Sequence, residues 1–562
     1  MPAYALALSL LVTAPLLGPG YLLLRDAVST PRSYLTDAAL GLSESAPRAV
    51  PQDFFVAVTS AVLDGGVVVK ALLVAGLWLA SWGAARLAAG VLPDAGRAGQ
   101  FIAATLAGWN PYVAERLLQG HWSLLVGYGC LPWVATAAIR LRTGSRTRGG
   151  QTNPRTRGGQ TNPRTRGAAF ALAFWTAVAG LTPTGLLLAM VVALTCVAVP
   201  GDGWGRARVA GLSMVAAALA ATPWLTAALV GGAVNSSASA AELSAGIHAF
   251  AARAEPGLGA LGSLAGLGGI WNSAATPASR ASLFALPATL VLLGVVAAGL
   301  PVVLRNPARR MTLPLLVLAA VAVVGPALTA TGPGMALVEA VVRTVPGLGV
   351  LRDGQKWVAL AMPGYTLAAA AAPLTMRRRL STTATAAVCC AALIAVLPDL
   401  AWGVGGQMRA VRYPTTWTTA AAQINADPRP VAVLPPDIMR QFPWAGSAPV
   451  LDPLPRWLRA EVFSTGDLSI GGHIVPGEGA RARAVQQLLL SGASPQQLAD
   501  AGVGWVVRET GGDVAVQRIG GSAPAAAHRG ILIAAHLVWL GLLMAAGIGL
   551  AVQTARSSHR RG

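Results

Sequence analysis

Three clusters of polar and ionisable side chains stand out from an otherwise apolar chain, and each offers a chemistry. Asp26 follows Leu24-Arg25 where the first apolar run ends. A carboxylate at a membrane–water boundary can take the proton from an acceptor hydroxyl as general base. It can equally be half of an interfacial Arg25–Asp26 pair that only marks a helix end. The second cluster is Asn110-Pro111-Tyr112-Val113-Ala114-Glu115-Arg116, continuing to Gln119-Gly120-His121-Trp122. Pro111 breaks a helix there, and the polar groups can line a cleft or form a charged turn anchored by Tyr112 and Trp122. The third is Arg352-Asp353-Gly354-Gln355-Lys356. Arg352 and Lys356 offer a fork and a point charge suited to a phosphate, or Asp353 neutralises Arg352 in a solvated loop.

Other chemistries find no support. A GxxxxGK[ST] loop, HExxH and GxSxG are all missing, so neither an ATP-driven pump nor a zinc or serine hydrolase is indicated. Cys130, Cys196, Cys389 and Cys390 lie in apolar runs without metal-ligand spacing, as packing residues do. No cofactor is expected, and a divalent metal lacks the several oxygen ligands it would want.

The elements that must position these residues are membrane spans. Of 562 residues, 54% are hydrophobic and 11% charged, too apolar for a soluble core. Apolar runs of span length occur near 3–24, 66–90, 99–114, 122–139, 168–181, 184–199, 209–232, 282–304, 311–331, 355–375, 380–400 and 530–553. The expected fold is an α-helical polytopic bundle of about twelve spans, with 168–199 either two spans or a re-entrant hairpin. With the N-terminus cytoplasmic, the inner side receives Arg86, Arg97, the arginines of 140–166, Arg206, Arg208, Arg305, Arg309, Arg310, Arg377 to Arg379, Arg556, Arg560 and Arg561. That makes 21 basic residues against Asp94 and Asp202. This positive-inside pattern places both termini in the cytoplasm of a multi-pass plasma-membrane protein. The net charge of +20 then records topology and attraction to anionic lipid, and argues against nucleic acid as a partner.

The expected organisation is a bundle over 1–400 with outer loops 25–65, 233–281 and 332–356. An extracytoplasmic α/β domain follows at 401–528, then a last span and basic tail at 529–562. Within the α/β domain, VAVLP at 431–435 and GVGWVVRE at 502–509 read as strands. The period RTRGGQTNP at 146–154, repeated at 155–163 and begun again at Arg164, has nothing to bury and is expected to be disordered and dispensable.

A many-span chain whose first outer loop opens on an acid, with a C-terminal exported domain, resembles the GT-C superfamily of membrane glycosyltransferases. The actinobacterial enzymes that build cell-envelope glycans are the nearest in style. The resemblance implies transfer of a sugar from a polyprenyl-phosphate donor to an envelope glycan acceptor on the outer face. It makes Asp26 the base and Arg352 and Lys356 the donor-phosphate site. Asp37, Asn110, Glu115, Arg116 and His121 become candidates to line the cleft. The alternative is a non-catalytic membrane protein, either a lipid or glycan translocator or an assembly partner of envelope enzymes. Unlike many of the family, this chain has no adjacent acidic pair in the first loop; Asp37 is eleven residues beyond Asp26.

Overall fold

The computed structural model describes the chain except residues 44–48, 145–162, 231–239, 306, 308, 345–347, 437, 471–472, 476, 478, 524–525 and 560–562. Both full copies of the nine-residue period, up to residue 162, therefore lie outside the described residues. The third, partial copy (Arg164 to Gly167) falls within a helix, Pro163–Ala179.

Among the described residues, seven helices are long and apolar enough to cross a membrane: Gly65–Val91, Trp122–Thr143, Arg206–Val230, Ala285–Arg305, Arg309–Thr329, Gly354–Met376 and Arg529–Arg556. A bent pair, Thr382–Ala395 with Pro398–Gly406, raises the number to eight if it is one span. The remaining apolar runs are shorter or interrupted, for local reasons. The run near 3–24 is helical only to Leu16 and then turns into a strand. That near 99–114 breaks into Gly96–Gly108 and Pro111–Gln119, because Asn110 caps the second helix and Pro111 has no N–H to continue the first. Thr182 caps Pro183–Val197 in the same way and separates it from Pro163–Ala179.

We name the helices that build the site α1 (Pro2–Thr13), α2 (Gly65–Val91), α3 (Gly96–Gly108), α4 (Pro111–Gln119) and α5 (Trp122–Thr143). Small residues let α2 and α5 approach closely: a Cβ on Gly76 would lie 3.0 Å from the Cα of Val126, and one on Gly129 would lie 2.3 Å from the Gly76 carbonyl oxygen. Arg142, at the far end of α5, donates to the carbonyls of Val199 (2.9 Å) and Trp204, so arginine-bearing turns gather at that end. His121 immediately precedes the opposite end of α5, about 33 Å away along a 22-residue helix.

At the His121 end, short strands tie the beginning of the chain to its last third. The strands are β1 (Tyr21–Leu24), β2 (Ala27–Val28), β3 (Ala410–Val411), β4 (Val431–Leu434), β5 (Met439–Arg440), β6 (Val450–Leu451), β7 (Leu468–Ile470), β8 (His473–Val475), β9 (Trp505–Thr510) and β10 (Asp513–Arg518). One sheet has the order β2-β1-β3, and a second has β10-β9-β4 with β4 parallel to β9. Val431 to Val433 and Trp505 to Val507 are buried, as strand segments covered on both faces should be, while Leu434 is half-buried. Leu23 and Val28 of the first hairpin share a core with Trp417, Val433, Trp457 and Trp505. The first hairpin thus packs against the C-terminal sheet-containing region, whereas Leu40, Phe54 and Val56 join the core of the helical bundle.

Candidate functional site

Asp26 sits at the tip of a two-residue hairpin. Leu24 pairs with Ala27 across the β1–β2 turn, leaving Arg25 and Asp26 as the loop. Such turns need positive φ, normally supplied by glycine; here Arg25 takes it, at φ +49°. The strained backbone is held on all sides. The Arg25 N–H donates to the Pro449 carbonyl (2.9 Å) and its own carbonyl accepts from Leu451 (2.8 Å). Its buried guanidinium donates to the carbonyls of Leu118 (2.6 Å) and Ala274. Arg25 therefore holds the loop in place through main-chain carbonyls, and Asp26 is left to other partners.

Those partners come from the Asn110–Trp122 motif. Asn110 caps α4 through the Val113 N–H (3.1 Å), and its own amide donates to Leu106 and Ala107 of α3. Gly120 ends α4 at φ +85°. The consequence is that Gln119 and His121 both reach Asp26. The Gln119 carbonyl accepts from the Asp26 N–H (3.2 Å), Gln119 Nε2 donates to Asp26 Oδ2 (3.1 Å), and His121 Nε2 lies 3.0 Å from the same oxygen. A Cβ on Gly120 would lie 2.3 Å from the Ala27 nitrogen and 2.9 Å from that of Asp26. Gly120→Ala is therefore expected to push the hairpin off α4, costing more than the roughly 1–3 kcal/mol of a left-handed non-glycine residue alone. Gly211, with open space around its Cβ position, is the control, and its alanine variant should gain stability. Thermal unfolding in detergent checks the pair; equal behaviour would mean that Gly120 is not a contact point.

The protonation pattern of His121 follows from its neighbours. Arg116 lies 3.1 Å from Nδ1, and a guanidinium only donates, so Nδ1 accepts and Nε2 carries the proton toward Asp26. The imidazole is thus neutral. Burial depresses its pKa, and the cations Arg116 and Lys356 add to that against the opposing pull of Asp26. For Asp26 burial works upward, but the hydrogen bonds from His121 and Gln119 and the charge of Lys356 outweigh it. The carboxyl rests below its ordinary value, and its side chain is still 39% exposed.

Arg116, fully buried, carries the network inward. It forms a two-pronged pair with Asp353 (2.9 and 3.0 Å) and also donates to Gln355. Lys356 Nζ lies 3.6 Å from the same Asp353. Burial would raise the Asp353 pKa, yet Arg116 and Lys356 hold it well below the carboxylate range. Gln355 then donates to Glu115 Oε2 (3.0 Å), whose carboxyl also accepts from the N–H groups of Gly269 and Ile270 (both 3.1 Å). Burial and the nearby Glu255 carboxylate push Glu115 upward.

The structure thus gathers Asp26, Glu115, Arg116, His121 and Lys356, with Asn110 shaping the helix that presents Glu115 and Arg116. Two other candidates make contacts of their own. Arg352 lies 5.7 Å over the Phe250 ring and donates to the Gly349 carbonyl (3.1 Å). Asp37 pairs with Arg529. Asp353 belongs to Arg116 and is buried, in contrast to a solvated Arg352–Asp353 pair. Sequence reasoning passed over the contribution of the 249–280 segment. There Glu255 is paired with Arg280 in full burial, and Asn272 donates to Gln119 Oε1 (2.8 Å). The available signal was one acid and two arginines (Arg253 and Arg280) in an otherwise apolar, glycine-rich loop.

No protein-family description matches the chain, and no curated protein matches it. Solved structures do. AftD, an arabinofuranosyltransferase from Mycobacteria, aligns with a TM-score of 0.55 over 90% of this chain at 18% identity. A mutant of the same enzyme aligns with 0.53 over 92% at 20% identity. The chain spans 35% and 37% of the length of those two AftD chains. The fold of this multi-pass membrane chain is like that of about a third of AftD, an arabinofuranosyltransferase from Mycobacteria.

Proposed function

We propose that the chain is a membrane glycosyltransferase, moving a sugar from a polyprenyl-phosphate donor to a cell-envelope glycan at the outer face of the plasma membrane. The observation that carries this reading is Asp26: an ionised, partly exposed carboxylate on a rigid hairpin, with Lys356 close enough to influence its charge. In the reaction, Asp26 accepts the proton of an acceptor hydroxyl as that oxygen attacks the anomeric carbon. The bond from that carbon to the phosphate oxygen breaks, and polyprenyl phosphate leaves with the bonding pair. Lys356, with Arg352 four residues before it in the chain, supplies the positive charge for the departing phosphate. His121 and Gln119 fix the carboxylate, and Arg116 keeps His121 neutral. The likeness to an arabinofuranosyltransferase makes a polyprenyl-phosphate pentofuranose the first donor to try. The test is transfer in proteoliposomes from such a donor to a short envelope oligosaccharide, beside glycan profiling of a deletion strain. An unchanged glycan profile together with no transfer to any acceptor would sink the reading.

The pH profile gives a further check. Both Asp26 and His121 titrate below their ordinary values, so the ionised base and the neutral imidazole persist as pH falls through ~6.5, the usual imidazole value. Transfer should hold its plateau there and fail only lower. An acid limb centred at or above that pH would assign control to another group.

Orientation belongs to the same reading, with both termini cytoplasmic and the Asp26 end outside. A cysteine at Ser464 should react with an impermeant thiol reagent in intact cells, and one at Ser145 should be shielded. The reverse labelling would invert the protein and place the site on the wrong face.

A further inference from the structure

On the flank of the bundle, α1 and α2 leave between them a groove of about 820 Å³. Its walls are apolar: Leu6 and Leu10 of α1 face Ala71, Ala75 and Trp78 of α2. The two alanines form the trough. Trp78 closes its deep end, where its indole N–H donates to the Pro2 carbonyl (3.0 Å). Polar groups are confined to the other end. Lys70 Nζ donates to the Gly18 carbonyl (2.8 Å), and the Asp64 carboxylate accepts from the Tyr21 hydroxyl (2.9 Å) and the Val67 N–H (3.1 Å).

Each charged group retains bonding capacity: an ammonium has three donors and a carboxylate about four acceptor positions. The polar end is also the N-terminus of α2, whose dipole favours a negative group. From Lys70 to Trp78 the helix rises about 12 Å, close to the roughly 15 Å hydrocarbon depth of one leaflet. An apolar trough one leaflet deep, ending in one cation and one anion, matches an amphiphile whose head carries both charges.

We propose that this groove binds a phospholipid with a zwitterionic aminoethyl headgroup. The phosphate sits on Lys70 and the ammonium on Asp64. One acyl chain lies over Ala71 and Ala75 as far as Trp78. The site is separate from the Asp26 cluster, and its test reads lipid binding, so it stands or falls independently of sugar transfer.

The experiment uses the full chain in lipid nanodiscs with a trace of phosphatidylethanolamine carrying a photoreactive acyl chain, and maps the labelled peptides by mass spectrometry. Label is expected on residues 2–17 and 64–78. Excess phosphatidylethanolamine should compete at least about fivefold better than phosphatidylglycerol, and glycerophosphoethanolamine without chains should not compete. Ala71→Trp, which fills the trough, should cut labelling about tenfold, and Lys70→Gln several-fold. Asp64→Asn keeps the helix cap and should erase the preference between the two headgroups. Label elsewhere, labelling indifferent to Ala71→Trp, or equal competition by phosphatidylglycerol in the unaltered protein would overturn the proposal. Stronger competition by polyprenyl phosphate would overturn it too, giving the groove to an isoprenoid chain.

Discussion

Replacing Asp26 with Asn is expected to lower sugar transfer by ~10²–10⁴, the usual worth of a general base, while the protein stays folded and in the membrane. The asymmetry of the carboxylate makes this a clean substitution. His121 and Gln119 both contact Oδ2, so an asparagine oxygen there keeps both contacts and its amide takes the outward position. Only the ability to take a proton is lost. Donor binding should be unchanged, because the phosphate is assigned to Lys356 and Arg352. Arg352→Ala should do the opposite, weakening donor binding and sparing the chemical step. Single-turnover transfer with a saturating donor separates the two. A wild-type rate in Asp26→Asn, with envelope glycans intact, would remove Asp26 from the mechanism and favour a non-enzymatic role.

Arg116→Met should produce the largest loss of stability, about 3–5 kcal/mol, as when one member of a buried ion pair is deleted. Asp353 would keep Lys356 at 3.6 Å but lose both prongs of its guanidinium partner, and Gln355 and His121 would each lose a contact. Lysine at the same position keeps the charge but cannot reach Asp353, Gln355 and His121 together. The double variant Arg116→Met, Asp353→Leu should recover much of the loss, because the stranded anion goes with its partner. Thermal unfolding of the purified protein checks this. A single variant that costs less than ~1 kcal/mol would show the network to be as weak as an exposed pair.

The parts of this structure that a sequence reveals are those set by neighbours in the chain. The apolar runs near 66–90, 122–139, 282–304 and 530–553 are helices because composition alone commits them to lipid. The Asn110–Trp122 motif was also legible, since Asn110, Pro111 and Gly120 punctuate a helix by rules that act over a few residues. The Arg25–Asp26 hairpin was not. Its strand Tyr21–Leu24 is as apolar as the helix before it, and an arginine occupies the turn position where glycine would have signalled a turn. Similarly, the sequence offered Asp353 only its neighbour Arg352 as a partner, as one of two readings, whereas Arg116, 237 residues away in the chain, forms the two-pronged pair with it. No local pattern encodes a pairing of that range, and Glu255, Arg280 and Asn272 went unread for the same reason.

The contact between Arg25 and β6 also sets a timetable for biogenesis. The set of bonds around the Asp26 loop is complete only when Pro449 and Leu451 bond to Arg25, more than four hundred residues later in synthesis. At ~5–20 residues per second, the hairpin waits roughly 20–80 s without this last clamp. Throughout that interval a strand edge and a strained turn stand open to wrong partners. The completed site is therefore a late event, and a chain truncated before residue 449 should be inserted in the membrane yet recognisable to quality-control proteases as unfinished.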